Sequence, residues 1–119
     1  MNTTAIGAEA ELVARNYLEQ QSMKCLDQNA RTRFYELDLV MLDGSDVVAV
    51  EVKYRRNADF GGGEAAISHN KKWRLQQGIM QWLGQQGYDD AHQNIRIDVV
   101  VVTGEKFVCS HYPNAVEDG

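Results

Sequence analysis

The sequence predicts an α/β fold of order αβββαβ: a central mixed sheet with helices packed on it. Three observations carry that prediction. Two apolar β-type runs, Leu39–Leu42 and Val47–Val50, flank an Asp43-Gly44-Ser45-Asp46 turn cluster, the pattern of a β-hairpin. A run of branched residues from Ile95 to Val102 is apolar enough from Val99 onward for a central strand. Helix-period stripes lie before the hairpin and between it and that strand.

In chain order, residues 4–21 read as a helix, with Thr4 able to cap it and Ile6, Ala10, Val13, Ala14, Tyr17 and Leu18 on one stripe. Glu11 lies beside that stripe, where it can look inward to the sheet. Residues 23–26 read as a short strand, weakened by Lys24 and Asp27. The hairpin spans about 34–42 and 47–55. Residues 57–63, with three consecutive glycines, read as a loop. Ser68 can cap a helix over 69–85 that buries Leu75, Ile79, Trp82 and Leu83; Gly78 inside it costs roughly 1 kcal/mol relative to alanine. Residues 95–102 form the central strand and 106–111 an edge strand. The chain reads as one domain, 1–119, with 1–3 and 114–119 frayed.

The open end of the hairpin concentrates charge. A loop within Asp43–Asp46 pairs Asp38 with Glu51 and Glu36 with Lys53, on one face and roughly 4.5–5.5 Å apart at Cβ. A turn centred on Asp43-Gly44 would move Glu51 to the diagonal position but keep the shared face. Charges at strand ends are commonly just solvated. Here, however, the apolar run continues through Val52, so Glu51 and Lys53 interrupt a strand that reads as buried, and charged residues seldom sit there without partners. Opposed carboxylates are destabilising unless a cation binds between them.

The Asp38…Glu51-Val52-Lys53 pattern resembles the metal-dependent nucleases of the PD-(D/E)xK type, which include restriction enzymes and Holliday-junction resolvases. More closely, the chain is similar to the YraN family of small bacterial proteins with a predicted restriction-endonuclease-like fold. The resemblance runs from Gly7 to about Gly104, through Gly7-x3-Glu11-x2-Ala14-x3-Leu18, Asn29, Glu36-Leu37-Asp38-Leu39, Val50–Arg56, Phe60-Gly61, Lys71 and Arg96–Val100. It departs at Tyr35, where the family has glycine; a ring there would alter the strand entry or crowd the site. The superfamily's name-giving proline is absent too, the only proline being Pro113.

The resemblance implies phosphodiester hydrolysis in DNA, more readily than in RNA, including branched intermediates, with Mg²⁺ or Mn²⁺ as cofactor. Asp38, Glu51 and the Val52 carbonyl would hold the ion, since Mg²⁺ takes a few carboxylate oxygens with waters completing an octahedron. Lys53 would position or deprotonate the attacking water. Glu11 would be a further ligand or would orient one. Tyr54, Arg55, Arg56, Lys71, Lys72 and Arg74 would contact phosphates, and Trp73 can stack on an unpaired base, although a half-buried helix aromatic is the commoner role. Glu36 has a plainer role as the ion-pair partner of Lys53. Cutting both strands with so small a unit would call for a homodimer. Two alternatives keep the same fold: a nucleic-acid-binding module that does not turn over, and a protein-interaction subunit with an acidic docking exterior.

Composition sets limits on these readings. The 119 residues carry a net charge of −5, which argues against general high-affinity binding to nucleic acid. Residues 31–74 nevertheless hold eight of the twelve basic side chains and are +1 overall. An apolar fraction of 44% and a charged fraction of 24% are ordinary for a globular protein. No apolar run is long enough to span a membrane and Met1–Thr4 does not resemble a signal segment, so no membrane partner is expected and the cytoplasm is the expected location. Cys25 and Cys109 are far apart and read as buried free thiols.

Overall fold

The computed structural model describes residues 3–57, 66–88, 92–115 and 117–118. Helix α1 (Thr3–Gln20) leads into β1 (Lys24–Arg31), β2 (Glu36–Asp43) and β3 (Asp46–Arg55). The short β4 (Ile67–Ser68) runs directly into α2 (His69–Gln85), followed by β5 (Asn94–Thr103), β6 (Val108–Tyr112) and β7 (Glu117–Asp118). One mixed five-stranded sheet has the order β1-β2-β3-β5-β6, and β3 and β5 run parallel at its centre.

The period-2 alternation of β3 and β5 divides their side chains between two cores. Val47, Ala49, Ile97, Val99 and Val101 pack with Leu75, Ile79, Trp82 and Leu83 of α2. Val48, Val50, Val100 and Val102 pack with Ala10, Ala14 and Leu18 of α1. The two helices therefore cover opposite faces, and both central strands read as near-continuous apolar runs because neither face meets water. The α/β mixed sheet expected from the sequence is the observed one. Helix α2 spans 69–85 as expected, and Ser68 caps it, its Oγ accepting from the Lys71 N–H at 3.1 Å.

Three expectations need correction. The strand placed at 23–26 continues to Arg31, an eight-residue edge strand. A bulge between Cys25 and Asp27 lets the Asp27 carboxylate accept from the Trp82 indole N–H at 2.8 Å, so the charge that argued against a strand is satisfied from the facing helix. The tail expected to fray from 114 is tied down at its described residues. Asn114 N–H donates to the Asp98 carboxylate at 3.1 Å, Ala115 N–H donates to Ile97 O at 2.7 Å, Ala115 is buried, and β7 pairs in parallel with β4. Tyr35, expected to alter the strand entry or crowd the site, is packed into the core under α2. It is buried against α2 with its hydroxyl 2.7 Å from Gln85 Oε1, in the last turn of the helix.

That packing explains Gly78. A Cβ there would lie 3.0 Å from Tyr35 Cβ and 3.3 Å from Leu37 Cδ2, so the glycine opens the helix surface to the incoming strand. The glycine-rich loop read at 57–63 lies outside the described residues from 58 onward.

Candidate active site

The site forms where the sheet forks. The β2–β3 ladder follows the expected register from Asp43↔Asp46 to Leu39↔Val50 and then stops, while β2 continues beside β1 to Arg31↔Glu36. At the fork Asn29 takes a left-handed conformation (φ 51°) between the pairs Gln28↔Leu39 and Ala30↔Leu37. Leu39 belongs to the core under α1 and Leu37 to the core under α2, so two residues that would normally share a face are on opposite ones. The strand turns over at Asp38.

Beyond the fork, the residues of β3 from Glu51 to Arg55 keep only β5 as a ladder partner, from Glu51↔Val99 to Arg55↔Thr103. Asp38 closes the gap, its Oδ2 accepting the Val52 N–H at 2.9 Å. One carboxylate thus replaces a ladder bond and stands between two others. Burial first, and then the charge of Asp38, raise Glu51 from the ordinary carboxylate value to about 7, against the pull of Lys71. Burial and Asp38 likewise raise Glu11 to about 7, against Arg31 and a hydrogen bond from Asn29. In each case the protonated carboxyl is stabilised by a hydrogen bond to Asp38. The sheet half of the site was expected from the hairpin, and Glu11 of α1, which the resemblance implied, stands beside Asp38.

Lys53, two residues beyond Glu51 on the same strand, donates through Nζ to Ala66 O, the carbonyl that leads into β4. Lys71, expected as a phosphate contact, reaches into the carboxylates: its Nζ sits 3.2 Å from Glu51 Oε2. Glu36 does not reach Lys53. It pairs with Arg31, its register partner on β1, at 3.2 Å, because β2 has already left β3 at that level.

The remaining expected contacts divide. Arg56 and Arg74 are exposed. Arg55 is part-buried, with Nη1 on Tyr54 O at 3.1 Å. Tyr54 is half-buried against the core on the α1 side, its hydroxyl 3.3 Å from Gly104 O and its ring centroid 5.6 Å from that of Phe107. Lys72 donates to Ala115 O at 3.0 Å and fastens the C-terminal segment to α2. Trp73 is 55% exposed, more open than a half-buried helix aromatic. Residues without an assigned role in the sequence reading also enter: Asn29 and Arg31 beside Glu11, and Phe34, 71% exposed. Asparagine inside a strand pattern was the available signal, since it tolerates the left-handed region better than most residues.

Among the described residues no three His, Cys, Asp or Glu side chains are gathered closely enough to hold an ion by themselves. The donor set is a smaller one: Asp38 and Glu51, in hydrogen-bonding contact, and the Val52 carbonyl between Glu51 and Lys53. That set fits a hard divalent cation such as Mg²⁺, which is bound through one or two carboxylates and keeps most of its waters. The raised proton affinity of two carboxyls around a third is the electrostatic mark of a site short of positive charge.

Comparison with known sequences agrees with the residues quoted above. The model of the "Uncharacterised protein family UPF0102" matches residues 10–102. A UPF0102 protein of Serratia proteamaculans (strain 568) is 40% identical over 115 residues, 97% of each chain. A UPF0102 protein of Pectobacterium carotovorum subsp. carotovorum (strain PC1) is 41% identical, over 97% of this chain and 96% of its own. A third, from Colwellia psychrerythraea (strain 34H / ATCC BAA-681), is 38% identical over 87% of this chain and 81% of its own. The match covers the forked strands, both helices and the central strand, and the chain belongs to the UPF0102, or YraN, family.

Proposed function

We propose that this protein is a Mg²⁺- or Mn²⁺-dependent nuclease that hydrolyses phosphodiester bonds in DNA, in preference to RNA, including branched intermediates. The observation that supports this most is the trio Glu11–Asp38–Glu51: two carboxyls raised to about 7 around a third, with two lysines within reach of the same strand end. A purely structural cluster gains nothing from such an arrangement.

Asp38, Glu51 and the Val52 carbonyl would hold the cation, with Glu11 as an outer partner of Asp38. A bound Mg²⁺ supplies a water of lowered pKa and offsets charge on the phosphate. Asp38 is fixed for its role by the Val52 N–H. Lys53 would hold the attacking water or the phosphate, which requires its ammonium to exchange the Ala66 carbonyl for substrate. Lys71 would move from Glu51 to a phosphate oxygen as the cation takes its place. Arg55, Arg56 and Arg74 would offset the remaining backbone charge. Acting on cellular DNA, the protein would work in the cytoplasm. For location the structure supports one narrower statement: no described helix is long and apolar enough to cross a membrane. Two-strand cleavage by a unit this small would use a homodimer.

A second reading, a nucleic-acid binder without turnover, is favoured by one observation, the commitment of Lys53 to the Ala66 carbonyl. Incubation with linear, single-stranded and branched DNA and with RNA, in Mg²⁺, Mn²⁺ or EDTA, separates the two. The nuclease reading expects metal-dependent cleavage that Lys53→Ala abolishes while metal-induced thermal stabilisation remains. Binding without metal-dependent cleavage of any substrate leaves the binder.

A further inference from the structure

A cleft of about 470 Å³ lies between the turn joining β1 to β2 and the first turns of α2. Phe34 and Trp73 both line it, and both are unusually open for large aromatics, at 71% and 55% exposed. The guanidinium of Arg33 lies over the Phe34 ring, 5.4 Å from its centroid. The charged lining residues are Arg33, Lys71, Arg74 and Glu36, and Glu36 is already neutralised by Arg31. On a chain of net charge −5, this cleft is a local surplus of cations with aromatic faces between them.

We propose that this cleft is a subsite for an unpaired nucleotide, its base stacked on the Trp73 or Phe34 ring and its flanking phosphates on Arg33, Lys71 and Arg74. The inference rests on the nuclease reading for its purpose and adds the class of substrate: DNA with a single-stranded portion next to the scissile bond. Three points carry it. Aromatic faces are useful to bases only when those bases are out of a duplex, and stacking of this kind is indifferent to sequence. The volume lies within the range of small-ligand sites, which suits one nucleotide. Finally, Lys71 lines the cleft and also touches Glu51, so a strand seated there continues directly onto the carboxylates.

The test measures anisotropy of a fluorescein-labelled oligothymidylate and of a blunt duplex of equal length, in EDTA at low salt, together with tryptophan quenching. Phe34→Ala and Trp73→Ala are each expected to weaken single-strand binding roughly tenfold, to leave duplex binding unchanged and to leave the melting temperature unchanged. Arg74→Gln is expected to weaken both and to reduce the salt dependence. Single-strand binding unaffected by either aromatic substitution, or absent from the native protein, overturns the subsite. A change of oligomeric state in place of a change in oligonucleotide binding does so too, and makes the cleft a self-association surface. Cleavage with Mg²⁺ or Mn²⁺ is followed in parallel. Cleavage that is equal in native, Phe34→Ala and Trp73→Ala protein on every substrate defeats the subsite and spares the nuclease. Aromatic-dependent binding without cleavage does the reverse.

Discussion

Two charged clusters are built on the same sheet, and they differ in whether the central carboxylate is matched by fixed donors or crowded by other carboxylates. The first centres on Asp98 of β5, which is 0% exposed. Arg96 Nε and Nη2 grip its two oxygens at 2.8 and 2.9 Å, His111 Nε2 lies 2.7 Å from Oδ2, and the Asn114 N–H donates to Oδ1 at 3.1 Å. Arg96 then reaches Asp43 at 2.9 Å and Asp46 at 3.2 Å across the hairpin turn, and these partners hold its proton still more firmly than usual. The second cluster joins Glu11, Asp38 and Glu51, and its opposing charge is one lysine on Glu51 and an arginine near Glu11. The Asp98 cluster gives both Asp98 oxygens donors and fastens β5, β6 and the hairpin turn together. The Asp38 cluster satisfies its oxygens partly with shared protons. A buried carboxylate held by fixed donors is structure; part-buried carboxylates crowded together where β2 leaves β3 are where a ligand has something to gain.

Breaking the matched cluster is expected to have the largest effect on the fold. Asp98→Ala leaves the Arg96 guanidinium and His111 short of their main partner. The protein is expected to lose about 3 kcal/mol, toward the lower end for a broken buried pair because Asp43 and Asp46 remain. Urea unfolding monitored by tryptophan fluorescence reads this directly, and a loss below about 1 kcal/mol would remove the contrast drawn above.

The crowded cluster should respond in the opposite sense. Glu11 and Glu51 bind protons more tightly in the folded state than in the unfolded chain. Their contribution to stability in the absence of metal is therefore greatest below the ordinary carboxylate value and is lost as pH rises through about 7. Glu51→Gln removes the burial penalty and the Asp38 repulsion at the expense of the weaker Lys71 attraction. It is expected to stabilise the metal-free protein by roughly 1–2 kcal/mol at pH 8 and to have little effect at pH 5. Melting curves across that range check the sign, and a destabilised Glu51→Gln protein at pH 8 would mean that the cluster is structural after all.

A third substitution, remote from both clusters, sets the scale for ordinary packing. Gly78→Ala gains roughly 1 kcal/mol of helix propensity but drives a methyl to 3.0 Å from the Tyr35 Cβ, which cannot swing away as a side-chain tip would. The net expectation is a loss of about 1 kcal/mol with no pH dependence, measured in the same melts.

The sequence made local relations in this molecule easier to read than relations between distant segments. The hairpin register followed from period-2 alternation and a turn that needs a positive φ, which Gly44 supplies at 60°. The α2 boundaries followed from the Ser68 cap and a 3.6-residue stripe. The fork did not, because it depends on Asn29 and Asp38 facing each other across two strands, a relation that neither strand shows alone. The ion pair of Lys71 with Glu51 joins a helix to a strand with the loop between them, and no local pattern encodes it. Ala115 docks through its backbone N–H, which carries no side-chain signature. Tyr35 was misread for a similar reason: its cavity is made by a glycine two helices' worth of sequence away.

The parallel pairing of β3 with β5 also bears on the order in which the protein assembles. Strands β1, β2 and β3 are neighbours in sequence and can meet through short turns, whereas β5 reaches β3 only after the α2 crossover is in place. Closing that long loop is the slow, entropically costly step, and contacts across it tend to form late. Glu51 is buried only once β5 lies beside it, at Val99. Its altered proton affinity therefore belongs to the native state more than to the barrier, and protonation of Glu51 is expected to act on the unfolding rate more than on the folding rate.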